Sequence, residues 1–288
     1  MSSSPPDLNA LLSNLPLGKF RYFERIGSTN DEAANWIKDE CPDLSLLVAD
    51  TQTAGRGSAG RKWFTSPGAG LAFSLVLRAD EILHLLREHG NTARLNGLGS
   101  LAVCQALQTQ FDIPAQIKWP NDVIVEGRKL SGVLVEAHWI GNELAAVVLG
   151  IGLNITPASI PPKNWDTLNP RPYPAACLEA VIGAPVDRWA LLGAILRQIF
   201  FWRENLTAQA FLDAWEANLA FRGQWVQVYP PGSAIQPQIR MILGLESDGS
   251  LRVQDESGEQ SILRAGEIHK PNPPLVGFGL RPVDSAEK

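Results

Sequence analysis

Short apolar runs of strand length punctuate the middle of the chain. Residues 46–49 and 71–77 are apolar at nearly every position, which predicts two strands. Three more apolar runs follow at residues 123–125, 129–137 and 144–149, separated by turns at Glu126-Gly127 and Gly141-Asn142. Because such short turns leave no room for a crossover connection, these three runs predict an antiparallel meander.

Helical spacing of apolar residues appears on both sides of these strands. Residues 28–32 predict the start of a helix, with Thr29 and Glu32 spaced as a capping box and with Trp36 and Ile37 as buried contacts. Further helices, buried or covering the sheet, are predicted over residues 92–110, 186–205 and 207–220. The pattern therefore predicts an α/β (α+β) domain with a mixed or antiparallel sheet.

The pattern of apolar and polar residues changes after Arg222-Gly223. Short strand-like runs at residues 225–229, 238–245, 251–254 and 261–264 alternate with turns that contain glycine. This spacing predicts a small all-β barrel. We thus divide the chain into a flexible tail (1–18), a main domain (19–221), a small β domain (222–272) and a second tail (273–288).

Composition excludes several classes of protein. The 288 residues are 45% hydrophobic and 19% charged, with a net charge of −5, which argues against a nucleic-acid-binding surface. No apolar run is long enough for a membrane span, and the N-terminus does not resemble a signal peptide. Cys41, Cys104 and Cys177 are too far apart for a CxxC metal site and odd in number. We expect a cytoplasmic protein without a protein-bound metal site.

The densest chemical signal is a basic loop rich in glycine, at residues 55–63. Its glycines allow backbone N–H groups to crowd around an anion, and Arg56, Arg61 and Lys62 add positive charge. The loop matches G-x-G-x-x-G, but Pro67 argues against the helix that a dinucleotide fingerprint requires, and the Walker A pattern is absent. The loop is either an anion-binding cradle or a solvated basic surface loop.

Three further segments carry candidate chemistry, and each also has a purely structural reading. Residues 118–122 are either part of a site or a turn with a packed tryptophan. Lys129 begins an apolar strand and either points into a cleft or protects an exposed sheet edge. Gly132 suggests a bulge or a ligand close to the backbone, and residues 150–154 form either a glycine turn or part of the same site.

Together and in this order, the segments resemble biotin–protein ligases. The matching blocks are residues 27–30, 52–57, 60–63, 118–122, 128–136 and 150–154. The resemblance is strong over residues 20–155 and weaker over 222–269, through Arg222-Gly223 and 266–268. It implies a catalytic domain related to class II aminoacyl-tRNA synthetases, followed by an SH3-like domain. It also implies a biotin–[acetyl-CoA-carboxylase] ligase of the monofunctional kind.

The resemblance implies roles for individual residues. Biotin would be bound by Ser28, Thr29, Asn30, Gln52, Gly55, Arg56, Gly57, Lys129, Gly132, Leu134, Gly150 and Gly152. ATP would be bound by Arg56, Arg61, Lys62, Trp63, Lys118, Asn121, Asn154 and Trp165. The catalytic set would be Lys129, Arg56, Arg61 and Asp122. Asp122 would position either Mg²⁺ or the attacking lysine, and these alternatives stay open.

The implied reaction uses ATP and Mg²⁺ to form biotinyl-5'-AMP, and then transfers biotin to a lysine of a carrier protein. The expected partner is the biotin carboxyl carrier protein of acetyl-CoA carboxylase, and the expected state is a monomer or weak homodimer. Relatives often have arginine where this chain has Ser58. Since that arginine helps to retain the adenylate, we expect a leakier intermediate in this chain.

Three rival hypotheses remain. A ligase that also represses a biotin operator needs an N-terminal DNA-binding module, for which the stretch before Gly27 is too short. A lipoate ligase or octanoyltransferase has a related fold and also attaches its substrate to a carrier protein. Residues 118–122 and the loop at residues 55–63 favour biotin. A binding module without catalysis is disfavoured by Lys129 and Arg61.

Overall fold

One mixed seven-stranded sheet dominates the computed structural model, which describes residues 8–78, 80–89, 92–162, 165, 173–231 and 237–271. Its strands are β1 (Phe20–Ile26), β2 (Leu46–Gln52), β3 (Gly70–Leu77), β4 (Gln116–Lys118), β5 (Asp122–Val125), β6 (Arg128–Ile140) and β7 (Glu143–Asn154). Their order across the sheet is β1-β2-β3-β7-β6-β5-β4. β1 and β2 pair in parallel and the other neighbours pair antiparallel, so the predicted meander from β5 to β7 is confirmed.

Helices cover both faces of this sheet. They are α1 (Leu8–Leu12), α2 (Thr29–Lys38), α3 (Asp80–His89), α4 (Ala93–Phe111), α5 (Leu178–Ile182), α6 (Arg188–Glu204) and α7 (Gln209–Ala217). Single 3-10 turns lie at Ser58–Gly60 and Pro157–Ser159. Among the described residues, no helix combines the length and the apolar character that a membrane span requires.

The two faces of the sheet bury separate apolar clusters because side chains alternate along each strand. Leu46 and Val48 of β2 pack in the larger cluster, together with residues of α4 and α6. Leu47 lies between them in sequence and packs in the smaller cluster, with Trp36 and Ile37 of α2. β2 is therefore sandwiched, which explains why its apolar run is continuous rather than alternating.

The C-terminal unit is a five-stranded antiparallel sheet, as the predicted SH3-like domain requires. Its strands are β8 (Trp225–Tyr229), β9 (Gln238–Leu245), β10 (Leu251–Gln254), β11 (Gln260–Leu263) and β12 (Glu267–His269). The order is β11-β10-β9-β8-β12, so β12 pairs with β8 at one edge. The predicted fold class, an α/β domain followed by a small all-β domain, is confirmed.

Side chains of the large domain fasten this unit by hydrogen bonds to its backbone. The Trp119 indole N–H donates to the carbonyl of Gly249 at 3.1 Å, and Arg94 Nε donates to the carbonyl of Ser247 at 2.7 Å. The Glu216 carboxylate accepts from the N–H of Leu245 at 2.8 Å. The two units therefore share a tight polar interface.

Two predictions about the N-terminal region are wrong. Residues 8–12 of the expected flexible tail form α1, because Leu8 and Leu12 are buried in the larger apolar cluster. The capping box is absent: Ser28 is the N-cap of α2 without a side-chain cap, and the hydroxyl of Thr29 lies 3.1 Å from Gln52 Oε1 instead. Residues 1–7 and the whole of the second tail (273–288) lie outside the described residues.

The close contact between α4 and α7 requires a glycine at position 97, and this requirement can be tested. A Cβ atom on Gly97 would lie 2.5 Å from Cε3 of Trp215, whose ring is fully buried. The Gly97→Ala substitution therefore forces this packing to shift, and we expect it to lower the free energy of unfolding by about 2 kcal/mol. Urea denaturation measures the change.

Gly193 in α6 provides a matched control for this measurement. A Cβ atom there would meet Arg197 Nη1 at 3.5 Å, which is an ordinary contact. We expect Gly193→Ala to leave stability unchanged or to raise it by about 0.5–1 kcal/mol through helix propensity. Equal stability of the two variants would contradict this account of the packing.

Candidate functional site

A cleft of about 720 Å³ lies where the middle of the sheet meets the start of α2 and the glycine-rich loop at residues 55–63. Of the residues predicted for the site, all except Gly55 line it. They are Ser28, Thr29, Asn30, Gln52, Arg56, Gly57, Arg61, Lys62, Trp63, Lys118, Asn121, Asp122, Lys129, Gly132, Leu134, Gly150, Gly152, Asn154 and Trp165. The fold therefore brings segments more than a hundred residues apart into one cavity.

One end of the cleft holds a buried network of polar uncharged groups. Gln52, at the end of β2, accepts at Oε1 from the N–H of Thr29 at 2.8 Å. Ser74 of β3 is fully buried, and its Oγ lies 2.7 Å from Thr29 Oγ1 and 2.6 Å from Asn30 Oδ1. Buried polar groups with fixed partners are suited to a neutral polar ligand, because the cost of desolvating them is already offset.

Asn30 connects this network to a charged group. Its Nδ2 donates to Glu136 Oε2 at 2.7 Å, and Glu136 also pairs with Arg56 at 2.6 Å. Arg56 contacts Asp31 at 2.7 Å as well. Burial would raise the pKa of Glu136, but the bonds from Arg56 and Asn30 outweigh it and lower the pKa. The Arg56 guanidinium thus lies between two carboxylates, and its predicted contact with ATP stays a prediction.

The other end of the cleft is a cationic cluster around one carboxylate. Asp122 lies 2.5 Å from Lys129 Nζ and 3.1 Å from Lys118 Nζ. Burial would raise the pKa of Asp122, but the two ammonium groups lower it well below its usual range. Burial and the cations Lys118 and Arg61 lower the pKa of Lys129, although Asp122 opposes them. Two cations against one anion leave this end positive.

The position of Lys129 decides between its two readings. β6 lies between β5 and β7, so Lys129 is not on an edge strand. Its Nζ lies 5.6 Å from the ring centre of Trp63, over the cleft. The edge-protection reading is therefore excluded.

Trp63 covers two glycines on neighbouring strands. Gly132 of β6 and Gly152 of β7 are directly paired. A Cβ atom on Gly152 would lie 2.3 Å from Cε2 of Trp63, and one on Gly132 would lie 3.3 Å from Cζ3. The absence of side chains at these two positions makes room for the indole, which forms part of the cleft wall.

Arg61 projects from the glycine-rich loop and is held at three points. Its Nε donates to the carbonyl of Ser58 at 2.9 Å, and its Nη2 donates to Ser58 Oγ at 2.6 Å. Its Nη1 pairs with Glu267 of β12 at 2.5 Å. The loop itself is closed by hydrogen bonds from Gly57 N–H to the Arg61 carbonyl and from Trp63 N–H to the Gly55 carbonyl. Gly55 thus shapes the loop from outside the cleft.

Three further predicted residues are held by backbone carbonyls or by a neighbouring ring. Asn121 Nδ2 donates to the carbonyl of Val133 at 2.6 Å, and Asn154 Nδ2 donates to the carbonyl of Ala176 at 3.1 Å. Trp165 stacks edge-on against Phe64 with ring centres 4.7 Å apart and remains 42% exposed. The predicted contact of Trp165 with ATP stays a prediction.

Sequence reasoning missed several residues that the fold adds to the site. Ser74 supports the polar network, and Tyr173 lies under Lys118, whose Nζ is 4.7 Å from the ring centre. From the C-terminal unit, His269 lines the cleft and Glu267 pairs with Arg61. Two of the missed residues had a sequence signal. Glu136 follows Gly132 and Leu134 at the two-residue period of one strand face, and Glu267 lies in the block 266–268 that carries part of the resemblance.

Comparison with known proteins agrees with this site. The model of the biotin/lipoate A/B protein ligase family matches residues 22–154, which include most of the cleft. The bifunctional ligase/repressor BirA of Bacillus subtilis is 33% identical over 177 residues, covering 61% of this chain and 50% of the relative. The chain thus spans about half the length of that relative.

Two other relatives match over nearly their whole length. The biotin–[acetyl-CoA-carboxylase] ligase of Paracoccus denitrificans is 30% identical over 255 residues, covering 85% of this chain and 97% of the relative. The structure of the Aquifex aeolicus biotin protein ligase in complex with biotin and ATP superposes with a TM-score of 0.70 at 27% identity, covering 87% of this chain and 97% of that one. The chain belongs to the biotin–protein ligase family.

Proposed function

We propose that the chain activates biotin with ATP and transfers it to a lysine of a carrier protein. The observation that carries this proposal is the junction, within one cleft, of a neutral polar network around Thr29 and Gln52 with a cationic cluster around Lys129. Biotin has a neutral ureido ring at one end and a carboxylate at the other, so it matches both ends. The Aquifex relative, whose structure contains biotin and ATP, supports the same assignment.

The ureido ring would lie against the network of Thr29 and Gln52 and against the neighbouring Ser28. Thr29 and Gln52 already bond to each other, which fixes the direction of their remaining donors and acceptors. Such preorganisation avoids the cost of ordering side chains at the moment of binding. The indole of Trp63, seated over Gly152, would cover the hydrocarbon part of the ligand.

Activation requires a carboxylate to approach a triphosphate, and like charges repel. Lys129 and Arg61 would offset this repulsion and stabilise the charge that develops at the α-phosphate. The biotin carboxylate oxygen attacks the α-phosphorus, the bond from phosphorus to the β-bridging oxygen breaks, and pyrophosphate leaves. The product is biotinyl-5'-AMP, a mixed anhydride.

Asp122 would serve as a positioning residue for Lys129 rather than as a metal ligand or a base. Its carboxylate is occupied by two ammonium groups, and its lowered pKa makes it a weak proton acceptor. The described residues include no group of three His, Cys, Asp or Glu side chains that suits a metal ion. Mg²⁺ would enter with the ATP substrate, because this ion is usually held by substrate phosphates and water molecules.

Transfer would follow when a neutral lysine of the carrier attacks the carbonyl carbon of the adenylate. The new C–N bond replaces the bond from the carbonyl carbon to the phosphate oxygen, AMP leaves, and the amine proton passes to solvent.

We propose the biotin carboxyl carrier protein of acetyl-CoA carboxylase as the partner and the cytoplasm as the location. The name of the Paracoccus relative supports the partner. Since the net charge is −5, we do not expect operator DNA to bind, which a gel shift tests.

Pyrophosphate release tests the proposal and separates it from a lipoate ligase. We expect release that depends on biotin and MgATP, and none with lipoate in its place. Because Lys129 would stabilise charge in the transition state, Lys129→Ala should slow release by about a hundredfold or more. Lys38→Ala, which removes an exposed lysine from the end of α2, is the matched control and should match the wild type.

Two results would contradict this proposal. Release with lipoate and not with biotin would assign the chain to the other branch of the family. Full activity of Lys129→Ala would remove the residue from the mechanism. Thermal unfolding of both lysine variants checks that loss of activity is not loss of the fold.

Retention of the adenylate should depend on residue 58. Ser58→Arg adds a cation beside the phosphate, and we expect it to slow release of biotinyl-5'-AMP by about tenfold, the effect of one charged hydrogen bond. Ser58→Ala is the control, because it removes the Oγ that accepts from Arg61 without adding charge. Release rates are measured by filtration of the labelled adenylate, and equal rates for the wild type and Ser58→Arg would refute the idea.

A further inference from the structure

The C-terminal unit reaches the cleft through the short strand β12, whose His269 is part of the cleft lining. This strand lies at the edge of its sheet, paired only with β8 among the described strands. Glu267 and His269 are two residues apart, so their side chains lie on the same face of the strand. His269 lines the cleft, and its Nε2 lies 3.5 Å from Glu267 Oε2.

The contact between Glu267 and Arg61 differs from an ordinary surface ion pair. The two side chains are only 23% and 28% exposed, and Glu267 Oε1 lies 2.5 Å from Arg61 Nη1. It joins residues 206 positions apart in the chain and ties the glycine-rich loop to the C-terminal unit. Because water screens this pair less than an exposed one, it holds the loop more firmly.

The hydrogen bonds of Arg61 show what this contact does. A guanidinium has five N–H groups. Within the described part of the chain, two of them donate to Ser58 and one donates to Glu267. Nε and Nη2 are held by Ser58 and Nη1 is held by Glu267, so the orientation of the guanidinium plane is fixed. Two N–H groups are left for the oxygens of a phosphate.

The charges in the cleft give Glu267 a second effect. Arg61 lies close enough to Lys129 for their charges to repel, and Lys118 adds to this repulsion. Asp122 already pairs with both lysines. Glu267 compensates the third cation, which lets Arg61 stay beside the lysines before a nucleotide brings its own negative charge.

We propose that Glu267 is a positioning residue for adenylate formation, because its ion pair aims the Arg61 guanidinium at the phosphates of the nucleotide. The C-terminal unit thereby takes part in nucleotide binding without touching the nucleotide through this residue. This inference rests on the proposed function, since it assigns the phosphates to the side of the cleft that Arg61 faces.

Steady-state kinetics of pyrophosphate release tests this role in the full chain. Glu267→Gln keeps the size of the side chain and removes its charge. We expect it to raise the KM for ATP by about threefold or more, the effect of one partly buried ion pair, and to leave the KM for biotin unchanged. Glu267→Asp retains the charge and should restore part of the loss, whereas Glu256→Gln, an exposed carboxylate of the same unit, should match the wild type.

Hydrogen exchange of the ligand-free chain gives a readout that needs no activity. The amides of Gly57, Arg61 and Trp63 are bonded within the loop. Glu267→Gln should speed their exchange, and Glu256→Gln should not. If the wild type releases no pyrophosphate, the proposed function fails while exchange still tests whether Glu267 holds the loop.

Three outcomes would overturn the inference. The first is a KM for ATP in Glu267→Gln equal to that of the wild type. The second is an equal rise of both KM values, which would indicate general damage to the cleft. The third is a lower KM for ATP, which would show that Glu267 competes with the phosphates instead of aiming Arg61 at them.

Discussion

The pairing of one buried carboxylate with two ammonium groups is the constraint on which the site depends. Without Asp122, Lys118 and Lys129 would repel each other in a region where little water screens them. With Asp122, both cations stay beside the cleft and retain a net positive charge. Because Asp122 begins β5 and Lys129 is the second residue of β6, the hairpin between them sets this arrangement by its register.

The same sheet places the uncharged network within reach of that charge. β6 and β7 pair Gly132 with Gly152, and these two positions seat the indole of Trp63 between the ends of the cleft. The glycine-rich loop follows β2, and β12 of the C-terminal unit contacts the loop through the ion pair of Glu267 with Arg61. Three parts of the chain thus meet around one cavity, although each folds against its own partners.

Much of this arrangement was predictable from the sequence, and the rest has identifiable physical reasons. Apolar runs and turns predicted β2, β3 and the meander, because each is set by local patterning. β1 was missed, since its alternation is blurred by charged residues on an exposed edge. The capping box failed because Gln52, distant in sequence, competes for the hydroxyl of Thr29. Motif order predicted most of the cleft lining. Tyr173 joins the lining, and Ser74 and Glu267 support it from behind, only through tertiary contacts.

A crystal structure of the chain with biotin and a non-hydrolysable ATP analogue tests the central claim most directly. We expect the ureido ring within hydrogen-bond distance, about 3 Å, of Thr29 or Gln52. We also expect the biotin carboxylate and the α-phosphate together beside Lys129 in the same cleft. Biotin bound with its carboxylate away from Lys129, or a nucleotide bound outside this cleft, would contradict the claim.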